Sequence, residues 1–261
     1  MIGAIIGDIV GSRFEFYNHK SKDFELFSKM CFATDDSMMT LAVAQAILRS
    51  AEDRRDLARQ AVISMREIGQ QYPHRGYGGN FKSWLESDDP KPYGSWGNGS
   101  AMRVSPCAWA ASSLEEALSF SDAVTAVTHD HPEGIKGARA VTAAIWFARA
   151  GADKRTIREH TEKYYYPLDF TVDGIRPSYR YDVSCMGTVP PAIVAFLESD
   201  SFEDAIRNAI SIGGDSDTLA AITGSIAEAF YGVPDGIRDT ALTYLDAPLR
   251  DILARFEGSL T

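Results

Sequence analysis

The stretch Gly213-Gly214-Asp215-Ser216-Asp217-Thr218 runs directly into Leu219-Ala220-Ala221-Ile222-Thr223-Gly224-Ser225-Ile226-Ala227-Glu228-Ala229-Phe230-Tyr231. The second half carries apolar residues at three and four spacing, the period of a helix with a buried face. The first half packs two carboxylates and a hydroxyl into one turn at that helix's entrance. A second segment has the same layout: Thr34-Asp35-Asp36-Ser37 precedes the apolar-periodic Met39 to Leu48. Each cluster alone suits an N-cap, since Ser, Thr, Asp and Asn cap helices and acidic first turns complement the helix dipole. One carboxylate suffices for a cap, however, and both clusters set like charges side by side. A divalent cation would offset that repulsion, and carboxylate and hydroxyl oxygens are the hard ligands that Mg²⁺, Mn²⁺ or Ca²⁺ accept. An EF-hand is excluded because Leu219-Ala220-Ala221-Ile222 stands where further loop ligands should follow Asp217.

Outward from these two segments the helical period recurs in Leu57 to Ile68, Leu114 to Val127, Ile135 to Ala150, Ala192 to Leu197 and Phe202 to Ile212, whereas alternating strands are scarce. Pro132 with Glu133 suits a helix entrance, and Gly151 and Gly232 suit helix exits. The expected fold is all-α, a compact single-domain helical bundle over residues 1–261 with a dinuclear metal cleft. Gly3, Gly7 and Gly11 recur every four residues and would line one helix face, allowing a neighbour to approach closely. They do not match the dinucleotide fingerprint Gly-x-Gly-x-x-Gly. Three stretches read as non-helical: Tyr72 to Gly99, Thr128 to His131, and Tyr164 to Pro191, the last rich in Tyr, Pro and Arg and suited to a lid over a pocket.

A chain of 261 residues, 45% apolar, can bury one large core. Its formal charge of −10 argues against nucleic acid or an anionic membrane as a partner. An anionic small molecule remains compatible if backbone amides, basic side chains and metal meet its charge locally. Cys31, Cys107 and Cys185 are odd in number and form no Cys-x-x-Cys pattern, which predicts reduced thiols and a cytoplasmic setting. The apolar start Met1 to Gly7 is interrupted by Asp8 and lacks a preceding basic region, so it reads as neither a signal nor a membrane span.

Between the acidic clusters lies Gly94-Ser95-Trp96-Gly97-Asn98-Gly99, followed by Ser100-Ala101-Met102-Arg103. A glycine-rich loop entering a helix can present amides to phosphates, although the same glycines equally serve a turn needing positive φ. Trp96 within it could stack on a nucleobase. Of His129 and His131, one is expected to cap the following helix and one to face the pocket. Glu15 becomes functional only if the end of the glycine-striped helix abuts the acidic clusters.

Taken together, Gly7-Asp8-Ile9-Val10-Gly11 with Glu15, Thr34-Asp35-Asp36, Gly97 to Arg103, Thr128-His129 and Gly213 to Thr218 make a chain that resembles the ADP-ribosylglycohydrolase family over nearly its whole length. The resemblance implies an all-α hydrolase holding two divalent cations, Mg²⁺ or Mn²⁺, at the bottom of an ADP-ribose cleft. It assigns Thr34, Asp35, Asp36, Asp215, Asp217 and Thr218 as metal ligands, and Glu15 or Asp36 as the catalytic base. Ser95, Trp96, Gly97, Asn98, Gly99 and His129 would bind substrate, the loop around the diphosphate and His129 near the distal ribose. The implied reaction is metal-dependent hydrolysis at the distal ribose of an ADP-ribosyl group, with an ADP-ribosylated protein or a small ADP-ribose conjugate as partner. Two other readings use the same residues: a non-catalytic ADP-ribose or nucleotide binder, and a metal-dependent phosphoesterase.

Overall fold

The computed structural model describes residues 1–260. Among them are fourteen α-helices and no strand; the only sheet-like feature is an isolated antiparallel bridge between Gly97 and Ser184. The helices that build the site are α1 (Ile2–Gly11), α2 (Asp35–Arg49), α7 (Pro132–Arg149), α10 (Cys185–Leu197) and α12 (Ser216–Tyr231). Around them pack α3 (Leu57–Gln71), α4 (Gly79–Glu86), α5 (Ser105–Ala110), α6 (Leu114–Thr125), α8 (Lys154–Tyr164), α9 (Val172–Ile175), α11 (Phe202–Ile212), α13 (Asp235–Leu242) and α14 (Ala247–Gly258). Among the described residues no helix is long and apolar enough to cross a membrane.

All ten residues of α1 are buried, and the glycine stripe explains how. A Cβ on Gly3 would lie 2.3 Å from the Gly224 carbonyl oxygen, and one on Gly7 would lie 2.0 Å from that of Ala220. One on Gly11 would lie 2.5 Å from the Asp217 Cα. The pairing Gly3 to Gly224, Gly7 to Ala220 and Gly11 to Asp217 makes α1 and α12 antiparallel at backbone contact. The C-terminal end of α1 therefore meets the N-terminal end of α12, where Asp215 and Asp217 sit. At the opposite end Glu228 accepts from the Gly3 amide at 2.8 Å and supplies the first turn of α1 with a missing partner.

Two stretches expected to be non-helical contain helices. Within 72–99, α4 buries Phe81, Trp84 and Leu85, spaced three and one, but it begins on Gly79 next to Gly76 and Gly78, so turn chemistry masks it. Within 164–191 lie α9 and the start of α10, seven residues before the expected Ala192. The helix starts this early because Ser184 caps it, accepting from the Gly187 amide at 3.1 Å, and it then runs through Pro190 and Pro191. Pro191 has no N–H for the Gly187 carbonyl. The Tyr179 hydroxyl donates to that carbonyl at 2.9 Å and replaces the lost bond. After the glycine-rich loop the chain makes a short 3₁₀ turn at Asn98–Ser100 and enters a helix only at Ser105.

Candidate functional site

The end of α1 brings Asp8 into the protein's interior, where both its oxygens accept hydrogen bonds. The Thr34 amide lies at 2.9 Å, the Thr34 hydroxyl at 2.6 Å and the Ser37 amide at 3.0 Å, and the Ser37 hydroxyl makes a fourth contact. Asp8 thus fixes the entrance of α2. Thr34 in turn accepts from the Asp36 amide at 3.3 Å as the N-cap, which leaves its oxygen one further lone pair. Asp36, on the first turn of α2, accepts from the Thr218 hydroxyl at 3.2 Å through Oδ2, while its buried Oδ1 has no partner. On the other side, Asp215 accepts from the Asn98 side-chain amide at 2.6 Å, which links the α12 entrance to the glycine-rich loop. Asp217 accepts from the Thr218 amide at 2.9 Å.

Two sets of carboxylate oxygens result, each lying within 4.8 Å of one another: Asp8 with Asp36 and Asp217, and Glu15 with Asp215 and Asp217. Asp217 belongs to both. Burial and mutual repulsion push these groups toward the protonated form. Asp8 rises to about 6 through burial, in spite of its four donors. Burial, with the charges of Asp215 and Asp8 adding to it, raises Glu15 to about 7. Asp35 is raised to about 8 by burial and then by Asp8. Asp36 and Asp217 are driven well above the usual carboxylate range by burial and then by their acidic neighbours. An orphaned carboxylate oxygen among like charges is a costly arrangement without a counter-charge. The donor set, all hard oxygen, fits one or two divalent cations of the Mg²⁺ or Mn²⁺ kind.

All of these carboxylates except Asp8 line a cavity of about 310 Å³. Glu15, Asp35, Asp36, Asp215, Asp217 and Thr218 line it together with Ser95, Gly97, Asn98, Gly99, His129 and Arg103. Thr34 stands behind the wall with Asp8. Trp96 also lies outside the lining; it is half exposed and packs edge-on against His131 at 5.3 Å between ring centres. The two histidines divide as the sequence suggests: His131 caps α7, accepting from the Glu133 amide at 3.1 Å, and His129 faces the cavity. Three loop amides are already engaged, that of Gly94 on the Asp130 carboxylate at 2.7 Å, that of Gly97 on the Ser95 hydroxyl at 3.1 Å and that of Asn98 on the Val183 carbonyl at 2.7 Å. An anion in the loop must therefore be met by other donors.

Sequence reasoning gave Asp8 no role of its own. Its sign was the lone acidic residue inside an otherwise apolar helix, since a charge is rarely buried there without a task. Tyr181, in the segment read as a lid, lines the cavity and donates to Glu15 at 3.2 Å.

A sequence model of the family described as ADP-ribosylglycohydrolase matches residues 1–258. Among similar proteins, human ADP-ribosylhydrolase ARH3 is 25% identical, the alignment covering 98% of this chain and 90% of that protein. The ADP-ribosyl-[dinitrogen reductase] glycohydrolase of Rhodospirillum rubrum is also 25% identical, with 90% and 85% covered. A solved ADP-ribosylglycohydrolase-related protein complex superposes with a TM-score of 0.68 at 22% identity over 93% of each chain, a likeness of fold.

Proposed function

The chain belongs to the ADP-ribosylglycohydrolase family, a family of hydrolases, and from that premise we propose that it hydrolyses the glycosidic bond at the distal ribose of an ADP-ribosyl group and releases ADP-ribose. The observation that carries this reading is the convergence of Glu15, Asp36, Asp215 and Asp217 from three distant segments on a cavity that the glycine-rich loop and His129 also line, with Asp8 behind them. The substrate class is an ADP-ribosylated protein or a small ADP-ribose conjugate, and three buried free cysteines support a reducing, cytoplasmic setting.

In this reading Asp35, Asp36, Asp215, Asp217 and Thr218 hold two divalent cations, Mg²⁺ or Mn²⁺, with Thr34 using its remaining lone pair and Asp8 orienting the α2 ligands from behind. When bound, such cations would orient ribose hydroxyls and lower the pKa of water. Glu15 accepts the proton of the attacking water. Cations bound beside it would offset the charges of Asp215 and Asp8 and favour its ionised, proton-accepting form, and Tyr181 holds one of its oxygens in place. Asp36 is the other candidate for that proton. Ser95, Gly97, Asn98 and Gly99 wrap the diphosphate, Trp96 offers an aromatic face at the rim, and His129 contacts the substrate inside. The residues 1–261 act as one domain, because the site needs both ends of the chain.

Titration of ADP-ribose into metal-stripped protein, with and without added Mg²⁺ or Mn²⁺, tests the reading. Cation-dependent binding, together with release of free ADP-ribose from ADP-ribosylated protein, supports it. Release of AMP or phosphate would assign the site to phosphoester cleavage. Binding without turnover of any ADP-ribosyl conjugate would make the protein a binder, and absence of binding in every condition would discard the reading.

A further inference from the structure

Arg103 is the one cation lining the cavity, and its side chain is 1% exposed. Among the described residues no carboxylate pairs with it. Its guanidinium instead gives one nitrogen to the Thr128 hydroxyl at 2.6 Å and to the Val124 carbonyl at 3.1 Å, while Nε has no partner. A buried unpaired cation is expensive to keep, so its single strong side-chain contact calls for an explanation.

The explanation lies in the direction of one proton. Arginine can only donate, so Thr128 Oγ1 accepts from Arg103 and must place its own hydrogen elsewhere. Two acceptors are near. The Thr125 carbonyl is 3.5 Å away and already accepts the amides of Thr128 and His129, at 3.2 and 2.9 Å. His129 Nδ1 is 2.7 Å away. The shorter contact and the carbonyl's filled lone pairs send the hydroxyl hydrogen to Nδ1. Nδ1 is then an acceptor, and in a neutral imidazole the ring proton must sit on Nε2. Burial and the Arg103 charge both hold His129 in that neutral form.

Nε2 faces the glycine-rich loop. A Cβ on Gly99 would come within 3.3 Å of it and one on Gly97 within 3.6 Å, so the two glycines keep the approach to Nε2 clear. Among the described residues Nε2 has no hydrogen-bond partner.

We infer that Thr128, anchored by Arg103, is a positioning residue that locks His129 as a neutral Nε2–H donor aimed into the cavity. The group it meets is therefore an acceptor oxygen of the substrate, a phosphate or ribose oxygen, and His129 is not a base. The substrate part of this inference rests on the function proposed above; the tautomer does not. The chain of contacts explains why Arg103 is buried without a carboxylate: an acid beside it would compete for the guanidinium and free the Thr128 lone pair that sets the relay.

Long-range ¹H–¹⁵N correlation spectra of the whole protein, with His129 assigned by its loss in His129→Gln, report which ring nitrogen carries the proton. The wild-type protein should show Nε2–H, Thr128→Val should show a mixture or Nδ1–H, and Thr128→Ser should restore Nε2–H. In turnover assays Thr128→Val should raise KM about tenfold, the effect of about 1.4 kcal/mol, with kcat changed less than about threefold, and Thr128→Ser should recover KM. An Nδ1–H imidazole in the wild type, a tautomer unmoved by Thr128→Val, or an unchanged KM in that variant overturns the inference. A wild-type protein that shows Nε2–H but does not bind ADP-ribose sinks the proposed function and leaves the tautomer assignment standing.

Discussion

Thr218 donates its hydroxyl to Asp36 at 3.2 Å across 182 residues of sequence. This contact joins the first turns of α2 and α12, both of which pack on α1, and α1 lies against α12 at backbone distance. The two acidic clusters, each of which could be an ordinary helix cap, become one site through backbone contact at Gly3, Gly7 and Gly11. The hydroxyl hydrogen spent on Asp36 Oδ2 leaves the Thr218 oxygen and Asp36 Oδ1 as open acceptors pointing at the same problem of unbalanced charge.

Asp217 is shared by both carboxylate sets, so Asp217→Asn should cost more function than any other single ligand change and yet relieve repulsion. The expected outcome is loss of cation-dependent ADP-ribose binding by calorimetry and a fall in turnover of at least about 10²-fold. In chelator the variant should melt at a higher temperature than the wild type. A lower melting temperature in chelator would show that Asp217 is held by the protein's own donors and that repulsion at the site is small.

Glu15 stands at the edge of the cluster, fixed by Tyr181 and only partly surrounded. A group that moves a proton but does not hold substrate affects kcat alone. Glu15→Gln should lower kcat about 10²- to 10⁴-fold and leave the dissociation constant for ADP-ribose within a few-fold of wild type. Equal losses in binding and turnover would make Glu15 a cation ligand instead of a base.

Much of this was legible in the sequence, for identifiable reasons. The run Leu219 to Tyr231 is readable because the helix is buried on every side through Ala227 and is therefore apolar almost throughout, and the doubled carboxylates exceed what a cap requires. By contrast, α8 buries only Ile157 and Thr161 and shows no stripe to read, and α14 hides a good one, Leu249, Ile252, Leu253 and Phe256, behind the charged residues between them. Helix α4 was obscured by its glycines and α10 by its prolines, whose missing bond is repaired by a tertiary contact from Tyr179. Asp8 was invisible as a site residue because its role is defined by four donors that arrive from another helix. Local sequence carries the ligands; the residue that aims them depends on the packing.

Asp8→Asn tests that aiming role. An amide offers one acceptor oxygen where the carboxylate offers two, and its NH₂ group must face the Ser37 or Thr34 donors. The variant should lose about 1 to 3 kcal/mol of stability by denaturant unfolding. Cation affinity should fall about 10- to 100-fold, as when a supporting partner of metal ligands is lost. A variant with wild-type cation affinity would restrict Asp8 to holding the α2 entrance.

Gly7→Ala sets helix propensity against packing. Alanine should favour α1 by about 1 kcal/mol. Its methyl, however, would lie 2.0 Å from the Ala220 carbonyl oxygen, and backbone cannot yield as a side chain can. Overpacking of this kind costs about 1 to 3 kcal/mol or more. The net effect should be destabilisation by about 2 kcal/mol with loss of cation binding, since any shift of α1 carries Glu15 and Asp8 away from Asp217. A stabilised variant would mean that α1 and α12 are farther apart than described.

The pH dependence of stability without metal follows from the raised carboxylates. Glu15 near 7, Asp35 near 8, and Asp36 and Asp217 well above the ordinary range bind protons more tightly in the folded protein than in the unfolded chain, where such groups titrate near 4. Where the folded state binds more protons, stability falls as pH rises. Histidines with lowered pKa values, His129 above all, act in the opposite sense, but their contribution fades about one pH unit above the ordinary value of 6.5. Between about 7.5 and 8.5 the carboxylates dominate. In chelator the melting temperature should therefore decline across that window. Saturating Mg²⁺ or Mn²⁺ should reverse the slope, because cation and proton compete for the same oxygens and binding strengthens as protons leave. Parallel slopes with and without cation would mean that the ion does not bind to these carboxylates.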